Sequence, residues 1–260
     1  MRDLLVGRTY CGRLTLTGSV LMVLSLASGC HSNDGWQSLF DGTTLDGWHE
    51  IGKQRVWRVE DGAIVGELVE SSPYAYLVTE EKFTDFELKL RMIFDSEDGN
   101  SGIFFRCAFP PQVLNPDIVA RDLPEDATEF KHPSTGETIA SLPYRQRVHI
   151  TGMQAEFAPP NQYTGALYDS THGRWITQDQ FTEAMHQAHK WQEWNDLYIK
   201  VVGQHVLVRL NDTLVSEIDN YEFAPTGRLA LQLHSGDAMK VRFKDIYVRP
   251  LCQKNTCRAR

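Results

Sequence analysis

The chain has 260 residues, 42% of them hydrophobic and 23% charged, and its formal charge is −8. An acidic chain offers no basic face for phosphate, which argues against a nucleic-acid partner. No linker, internal repeat or low-complexity segment divides it, so its length suits one large domain rather than two small ones.

Arg2, Arg8 and Arg13 precede or enter an apolar run from Leu14 to Ala27, and Ser28 and Gly29 stand directly before Cys30. That is the charged, apolar and small-residue order of a secretory signal. The run is 14 residues long, short of the roughly 20 that a spanning helix needs. Leu26-Ala27-Ser28-Gly29-Cys30 resembles a bacterial lipobox, with its large aliphatic one place early. Residues 1–29 are therefore expected to be removed and Cys30 to carry lipid, with residues 30–35 as a short polar tether. The expectation is an exported lipoprotein of the cell membrane or outer membrane, facing the periplasm or the exterior. Losing residues 1–29 removes three arginines and one aspartate, which takes the formal charge to −10.

From residue 36 onward period-two patterning dominates. It is cleanest in Asp85 to Asp95, where Phe86, Leu88, Leu90, Met92 and Phe94 alternate with Glu87, Lys89, Arg91 and Ile93. Such alternation marks a strand with one buried face. Further strands are predicted near 55–59, 62–68, 74–78, 101–107, 148–157, 165–169, 195–202, 205–210, 213–218, 227–234 and 239–248. Turn residues separate several of them, among them Glu60-Asp61-Gly62, Gly203-Gln204 and Asn211-Asp212. Many short strands with regular turns predict an all-β sandwich or jelly roll.

Two segments interrupt the pattern. Residues 108–147 carry six prolines and mixed charge, and read as a long irregular insertion that is either a lid over a binding face or a surface excursion. Residues 179–190 read as one short helix with Phe181, Met185 and Ala188 on one side. His186 and His189 on it are read as a solvated face, not a metal site. Export permits disulfides, and Cys252 and Cys257 are spaced to close a small loop in the 252–260 tail. Cys107 ends an apolar strand and reads as a buried thiol.

Parity assigns faces. In 228–234 Leu229, Leu231 and Leu233 fill one face, so Ala230, Gln232 and His234 take the other. In 152–157 Met153, Ala155 and Phe157 alternate with Gln154 and Glu156. In 101–106 Arg106 falls opposite the apolar row of Ile103 and Phe105. Three strands thus present polar groups on one face. If they share a sheet, they form a floor able to grip a hydroxyl-rich ligand; taken singly, each also fits an ordinary solvated face.

The segments Leu39-Phe40-Asp41-Gly42-Thr43-Thr44-Leu45-Asp46-Gly47-Trp48, Trp57-Arg58-Val59-Glu60-Asp61-Gly62, Gly99-Asn100-Ser101-Gly102-Ile103-Phe104-Phe105-Arg106, Thr164-Gly165-Ala166-Leu167-Tyr168-Asp169, Glu193-Trp194-Asn195-Asp196 and Leu231-Gln232-Leu233-His234 stand in an order and spacing that resemble the 3-keto-disaccharide hydrolase family, domain of unknown function 1080, across residues 36–251. The resemblance implies a concanavalin-like jelly-roll β-sandwich whose concave sheet is the ligand side. Where the commoner family pattern has Glu-x-Gln, this chain has Gln154-Ala155-Glu156. The acid is kept on the same face but displaced by two residues. The 108–147 insertion also looks longer than is usual.

The family name implies cleavage of an oligosaccharide or glycoside already oxidised to a ketone at carbon 3, and so a sugar 3-oxidase acting beforehand. The ketone acidifies the carbon-2 proton; a base removes it and the group on carbon 1 leaves. Such chemistry needs a base, an acid and a donor for the enolate oxygen. Glu156 and His234 are the candidates for base and acid, in either order, with Arg106 at the oxyanion. Gln154, Tyr168, Asp169, Arg174 and Gln232 are the candidates for orienting the ring. Carboxylate and imidazole also suit a divalent metal, which some of Glu156, Asp169 and His234 could hold. Two rival readings are a lectin-like carbohydrate-binding module on the same face, and a laminarinase-like hydrolase using Glu217-Ile218-Asp219-Asn220-Tyr221-Glu222, which matches the Glu-x-Asp-x-x-Glu pattern.

Overall fold

Alternating sequence makes strands here because each strand has one apolar row to bury, and two sheets bury their rows against each other. The computed structural model describes residues 34–109, 150–160 and 162–251 in full, and 130–131 and 138–140 by backbone alone. Its strands are β1 (Gln37–Ser38), β2 (Trp48–Gly52), β3 (Trp57–Glu60), β4 (Ala63–Leu68), β5 (Ala75–Phe83), β6 (Phe86–Phe94), β7 (Ser101–Ala108), β8 (Phe130–Lys131) and β9 (Thr138–Ala140). They continue as β10 (Thr151–Phe157), β11 (Leu167–Asp169), β12 (Arg174–Trp175), β13 (Asn195–Val202), β14 (His205–Leu210), β15 (Thr213–Ile218), β16 (Gly227–Leu233) and β17 (Met239–Pro250).

One sheet has eight strands, in the order β15-β14-β13-β6-β17-β4-β3 with β1 added beside β17. The other has seven, in the order β12-β11-β10-β7-β16-β5-β2. Every pairing within them is antiparallel, and the architecture is the expected jelly-roll sandwich. Leu88, Leu90 and Met92 of β6 meet Ile103, Phe105, Met153, Ala155, Phe157, Leu229, Leu231 and Leu233 of the seven-stranded sheet in one buried core. Each such side chain contributes about 1.5–3 kcal/mol on leaving water.

Several family-like segments build this frame. Asp41 accepts backbone N–H bonds from Thr43 and Thr44, both at 2.7 Å. These bonds, Thr44 first, lower its carboxyl pKa to about 2. Trp48 Nε1 donates to the Leu39 carbonyl at 2.6 Å and closes the same turn. Asn195 ties the 190–195 loop, accepting from Lys190 N and donating to the Lys190 and Glu193 carbonyls.

Two expectations change. The predicted helix over 179–190 resolves into a 3-10 turn (Gln178–Gln180) and a single helical turn, α1 (Glu183–Gln187). Phe181, Met185 and Ala188 do pack on the core, as their spacing predicts. His186 and His189 form neither a metal pair nor a solvated face: His186 lies against Tyr163 and Phe181, and His189 against Phe157 and Trp191. Within the insertion, Phe130–Lys131 and Thr138–Ala140 pair as a two-stranded sheet, so that part is not irregular. The signal segment, Cys30, Cys252 and Cys257 lie outside the described residues. Cys107 is a buried thiol.

Candidate active site

The seven-stranded sheet has a core face and an outward face, and on the outward face its side chains fall into register rows. Trp175, Tyr168, Gln154, Phe104 and Ala230 stand opposite one another across β12, β11, β10, β7 and β16. One step along, Glu156, Gly102, Gln232 and Tyr76 form the next row across β10, β7, β16 and β5. Beyond it, His234 N donates to the Asn100 carbonyl at 3.0 Å, and Tyr74 leads into β5. These rows line a pocket of about 340 Å³, together with Ser170.

Gly102 is the hollow in this floor. Glu156 and Gln232 stand on either side of it, two strand spacings apart, roughly 10 Å between backbones. A Cβ on Gly102 would come within 2.2 Å of Gln154 Nε2, so the Gln154 amide lies across the glycine. From there Nε2 faces Glu156 Oε2 at 2.8 Å, Gln232 Oε1 at 3.3 Å and the Ser101 carbonyl at 3.3 Å.

Glu156 is 4% exposed. Burial raises its carboxyl pKa from about 4.5 to about 8, against the opposing pull of the Asn100 amide, which donates to Oε1. An ionised carboxylate would have to leave water with few charges to repay it, so the neutral form wins. At neutral pH Glu156 therefore holds a proton.

His234 is placed by two contacts. Its Nδ1 lies 2.8 Å from the Ser235 carbonyl, which can only accept. Nδ1 thus carries hydrogen, and in the neutral ring the lone pair is on Nε2, where it accepts from the Tyr74 hydroxyl at 2.8 Å. The Tyr74 and His234 rings meet edge-on at 4.6 Å, and Tyr74 stacks beside Tyr76. Tyr168 completes the far wall, its phenol pKa raised by burial and by the neighbouring Tyr74, Asp169 and Glu156.

Five of the predicted site residues, Gln154, Glu156, Tyr168, Gln232 and His234, thus meet in the pocket. Three do not. Arg106 sits at a β-bulge: β7 holds one residue more than β16 between the Cys107↔Arg228 and Phe104↔Ala230 pairs, and one more than β10 at the same level. Its φ of 46° marks the bulge, and the extra residue reverses the alternation. The guanidinium is therefore buried away from the pocket, bonded to the Thr84, Gly203 and Ala224 carbonyls and to Asp85 at 2.9 Å.

Asp169 shares the core side of β11 with Leu167, opposite Tyr168. Its Oδ1 accepts Thr171 N and His172 N, and its Oδ2 receives the Tyr221 hydroxyl and His172 Nδ1, each at 2.6 Å. Burial alone would raise its pKa, but Tyr221 and His172 hold it below the usual value. Arg174 reaches Tyr221, not the pocket. Asp169 therefore faces away from Glu156 and His234, and among the described residues no group of three His, Cys, Asp or Glu side chains converges to hold a metal ion.

The laminarinase-like motif is likewise misplaced. Glu217 lies on β15, the edge of the eight-stranded sheet, where it pairs with His205 at 3.0 Å, and Asp219 and Glu222 fall in the loop beyond. The site residues missed from sequence are Tyr74, Tyr76, Asn100, Phe104, Ser170 and Trp175. Parity in 74–78 and 101–106 could have found Tyr74, Tyr76 and Phe104. Nothing local marks Trp175, on a two-residue strand.

A model of the 3-keto-alpha-glucoside-1,2-lyase-like domain matches residues 35–249. A 3-keto-disaccharide hydrolase of Bacteroides thetaiotaomicron is 39% identical over 220 residues, which cover 81% of this chain and 68% of that protein. Two solved structures of Parabacteroides distasonis proteins assigned to the glycosyl hydrolases are 20% identical to it, with TM-scores of 0.53 and 0.50. They cover 85% and 83% of this chain and 96% and 99% of their own, and at that identity they speak to fold alone. With the family model spanning nearly all of the sandwich, and a relative of that identity over most of both chains, this protein belongs to the 3-keto-alpha-glucoside-1,2-lyase-like family.

Proposed function

We propose that the pocket cleaves a glycoside whose sugar carries a ketone at carbon 3, by taking the proton from carbon 2 and releasing the group on carbon 1. The observation that carries this reading is Glu156, a buried carboxyl that keeps its proton at neutral pH in the same polar pocket as the His234–Tyr74 pair. Acid and base are thereby separated by environment. The name of the Bacteroides thetaiotaomicron relative supports the same substrate class.

In this scheme His234 Nε2 takes the carbon-2 proton. The electron pair forms a double bond between carbons 2 and 3, and the ketone oxygen becomes an enolate, with the Tyr74 hydroxyl and the Asn100 and Gln232 amides as the nearby donors. The enolate then reforms the ketone, a double bond forms between carbons 1 and 2, and the bond from carbon 1 to the leaving oxygen breaks. Glu156 gives that oxygen its proton. Water adds to the unsaturated ketone with its hydroxyl at carbon 1, Glu156 taking back a proton from the water and His234 returning one to carbon 2. If water does not enter, the unsaturated sugar is released. A sugar 3-oxidase must supply the substrate.

The test is to incubate the soluble domain in D2O with a 3-keto-glucoside and with its unoxidised parent. Turnover of the keto sugar alone, with deuterium entering at carbon 2, is expected. Cleavage of the parent, or binding of both without turnover, would overturn the scheme, the latter in favour of a carbohydrate-binding module. We also propose that Cys30 is lipidated and holds the domain at a membrane. Cys30→Ser is then expected to move the protein to the soluble fraction, and unchanged membrane retention would refute the anchor.

A further inference from the structure

The pocket is small and closed on one side. Its volume of about 340 Å³ lies at the low end for ligand sites, suited to one sugar ring. Toward β5 and β2 and toward the end of β7 the outward face carries a buried apolar cluster, Ile51, Val78, Cys107, Phe109 and Ile150 with Tyr76 and Phe104. The opposite side, at the β12 edge, carries aromatic rings that remain accessible. Trp175 lines the pocket beside Tyr168, their ring centroids 5.2 Å apart. Tyr163 continues outward from Trp175 at 5.8 Å and does not line the pocket.

Among the described residues these two are the large aromatic side chains left exposed, each at 37%. Accessible aromatic surface continuous with a polar pocket calls for an occupant. Tyr163 is also propped from behind, with Phe181 at 5.6 Å and His186 at 5.8 Å, so its ring is held in place without a ligand. Among the described residues no charged side chain is hydrogen-bonded to it.

We infer that Trp175 and Tyr163 form the subsite for the group on carbon 1, and that this subsite accepts a ring presenting a flat face. The inference rests on the proposed cleavage of a 3-keto-glycoside for the identity of the sugar in the pocket. The shared chemistry is a ring whose C–H or π face meets the negative face of an aromatic side chain, supplied either by a second pyranose or by an aryl aglycone. The polar floor of Gln154, Glu156, Gln232 and His234 serves the oxidised ring, and a polar clamp for a second ring is not needed where stacking positions it. Tyr168 stands at the junction of pocket and strip, since it lines the pocket and lies against Trp175.

The experiment compares three 3-keto-glucosides with methyl, glucosyl and phenyl groups on carbon 1, on wild type, Trp175→Ala, Tyr163→Ala and Tyr163→Phe. Wild type is expected to prefer both ring-bearing substrates over the methyl one in kcat/KM. Tyr163→Ala should reduce that preference roughly threefold to tenfold, Trp175→Ala by at least as much, and Tyr163→Phe should restore it. Loss for the phenyl substrate alone would assign the strip to aryl groups, and loss for the glucosyl substrate alone would assign it to a second sugar. A preference unchanged in both alanine variants would overturn the inference. Calorimetric binding of the unoxidised methyl, glucosyl and phenyl glucosides separates the two readings. If wild type turns over none of the keto sugars, the cleavage scheme fails while the subsite stands or falls on whether Tyr163→Ala weakens binding of the ring-bearing ligands more than the methyl one.

Discussion

Gln154 Nε2 stands 2.8 Å from Glu156 Oε2, two residues along the same strand and on the same outward face. The contact matters because, among the described residues, the carboxyl's other donor is Asn100, and the side chain is buried. Gln154 thereby sets the orientation of the group that the proposed chemistry uses as its acid, while the same Nε2 also faces Gln232 Oε1 at 3.3 Å.

Replacing Glu156 by Gln keeps the shape of the side chain and removes the proton to be given. Turnover of a 3-keto-glycoside is expected to fall about a hundredfold to ten-thousandfold, the usual cost of losing a general acid. Steady-state rates and a circular dichroism spectrum, taken together, check it. Wild-type kcat in a folded Glu156→Gln protein would remove Glu156 from the mechanism. Glu217→Gln, on the far sheet edge, is expected to leave the rate within twofold or so.

The same carboxyl makes stability depend on pH. Its folded-state pKa of about 8 lies above the ordinary value of about 4.5. Between these values the folded protein holds a proton that the unfolded chain has lost. The stabilisation is fully present below about pH 4.5 and is lost as pH rises through about 8, with a ceiling of a few kcal/mol. Thermal melts should therefore show wild type losing more stability than Glu156→Gln between pH 5 and pH 9. Equal losses in the two proteins would refute the raised pKa. Activity should likewise decline above about pH 8, as the acid ionises.

Gly102 is required by a close approach and not by its backbone angle. A Cβ there meets Gln154 Nε2 at 2.2 Å and its Cδ and Cγ at 2.7 Å, so the whole amide end must move. Gly102→Ala is expected to cost about 1–3 kcal/mol of stability through overpacking. It should cost on the order of a hundredfold in kcat, because Glu156 loses the donor that orients it. A variant with unchanged kcat would show that Gln154 does not position the acid.

Much of this was readable in the sequence, for a definite reason. The alternation in β10 and β16 depends on the local period alone, so Gln154, Glu156, Gln232 and His234 could be put on one face before any pairing was known. The same spacing excludes Asp169 from the pocket, against its place among the ring-orienting candidates, since it stands two residues from the buried Leu167 on the core side. Arg106 was not legible. One inserted residue reverses parity beyond it, and a bulge is decided by the pairing of β7 with its neighbours and not by the residues of β7. Trp175 joins the pocket only because β12 pairs with β11, a contact that a two-residue strand does not announce.

Arg106 supplies the last test, because the bulge gives it a structural duty where parity had suggested a chemical one. Its side chain is 1% exposed and that of Asp85 5%, and the pair is bonded at 2.9 Å near one end of the sandwich. Asp85 also accepts Gly203 N at 2.9 Å, while Arg106 spans the Thr84, Gly203 and Ala224 carbonyls and lies 4.9 Å from the Phe223 ring. One guanidinium thus joins the β5–β6 turn, the β13–β14 turn and the segment leading into β16. Gly227 passes so close that a Cβ would come within 2.3 Å of the Arg106 backbone, which leaves no room for the arginine to shift toward it. Arg106→Ala leaves a buried carboxylate without its cation and three carbonyls without a donor, and should cost about 3–5 kcal/mol in urea denaturation. Arg106→Lys should cost less, since an ammonium keeps the charge but cannot span all four acceptors. Because the guanidinium touches nothing in the pocket, kcat of the folded fraction, measured well below the melting temperature, is expected to stay near wild type in Arg106→Lys. A hundredfold fall in kcat with stability intact would put Arg106 back among the catalytic residues.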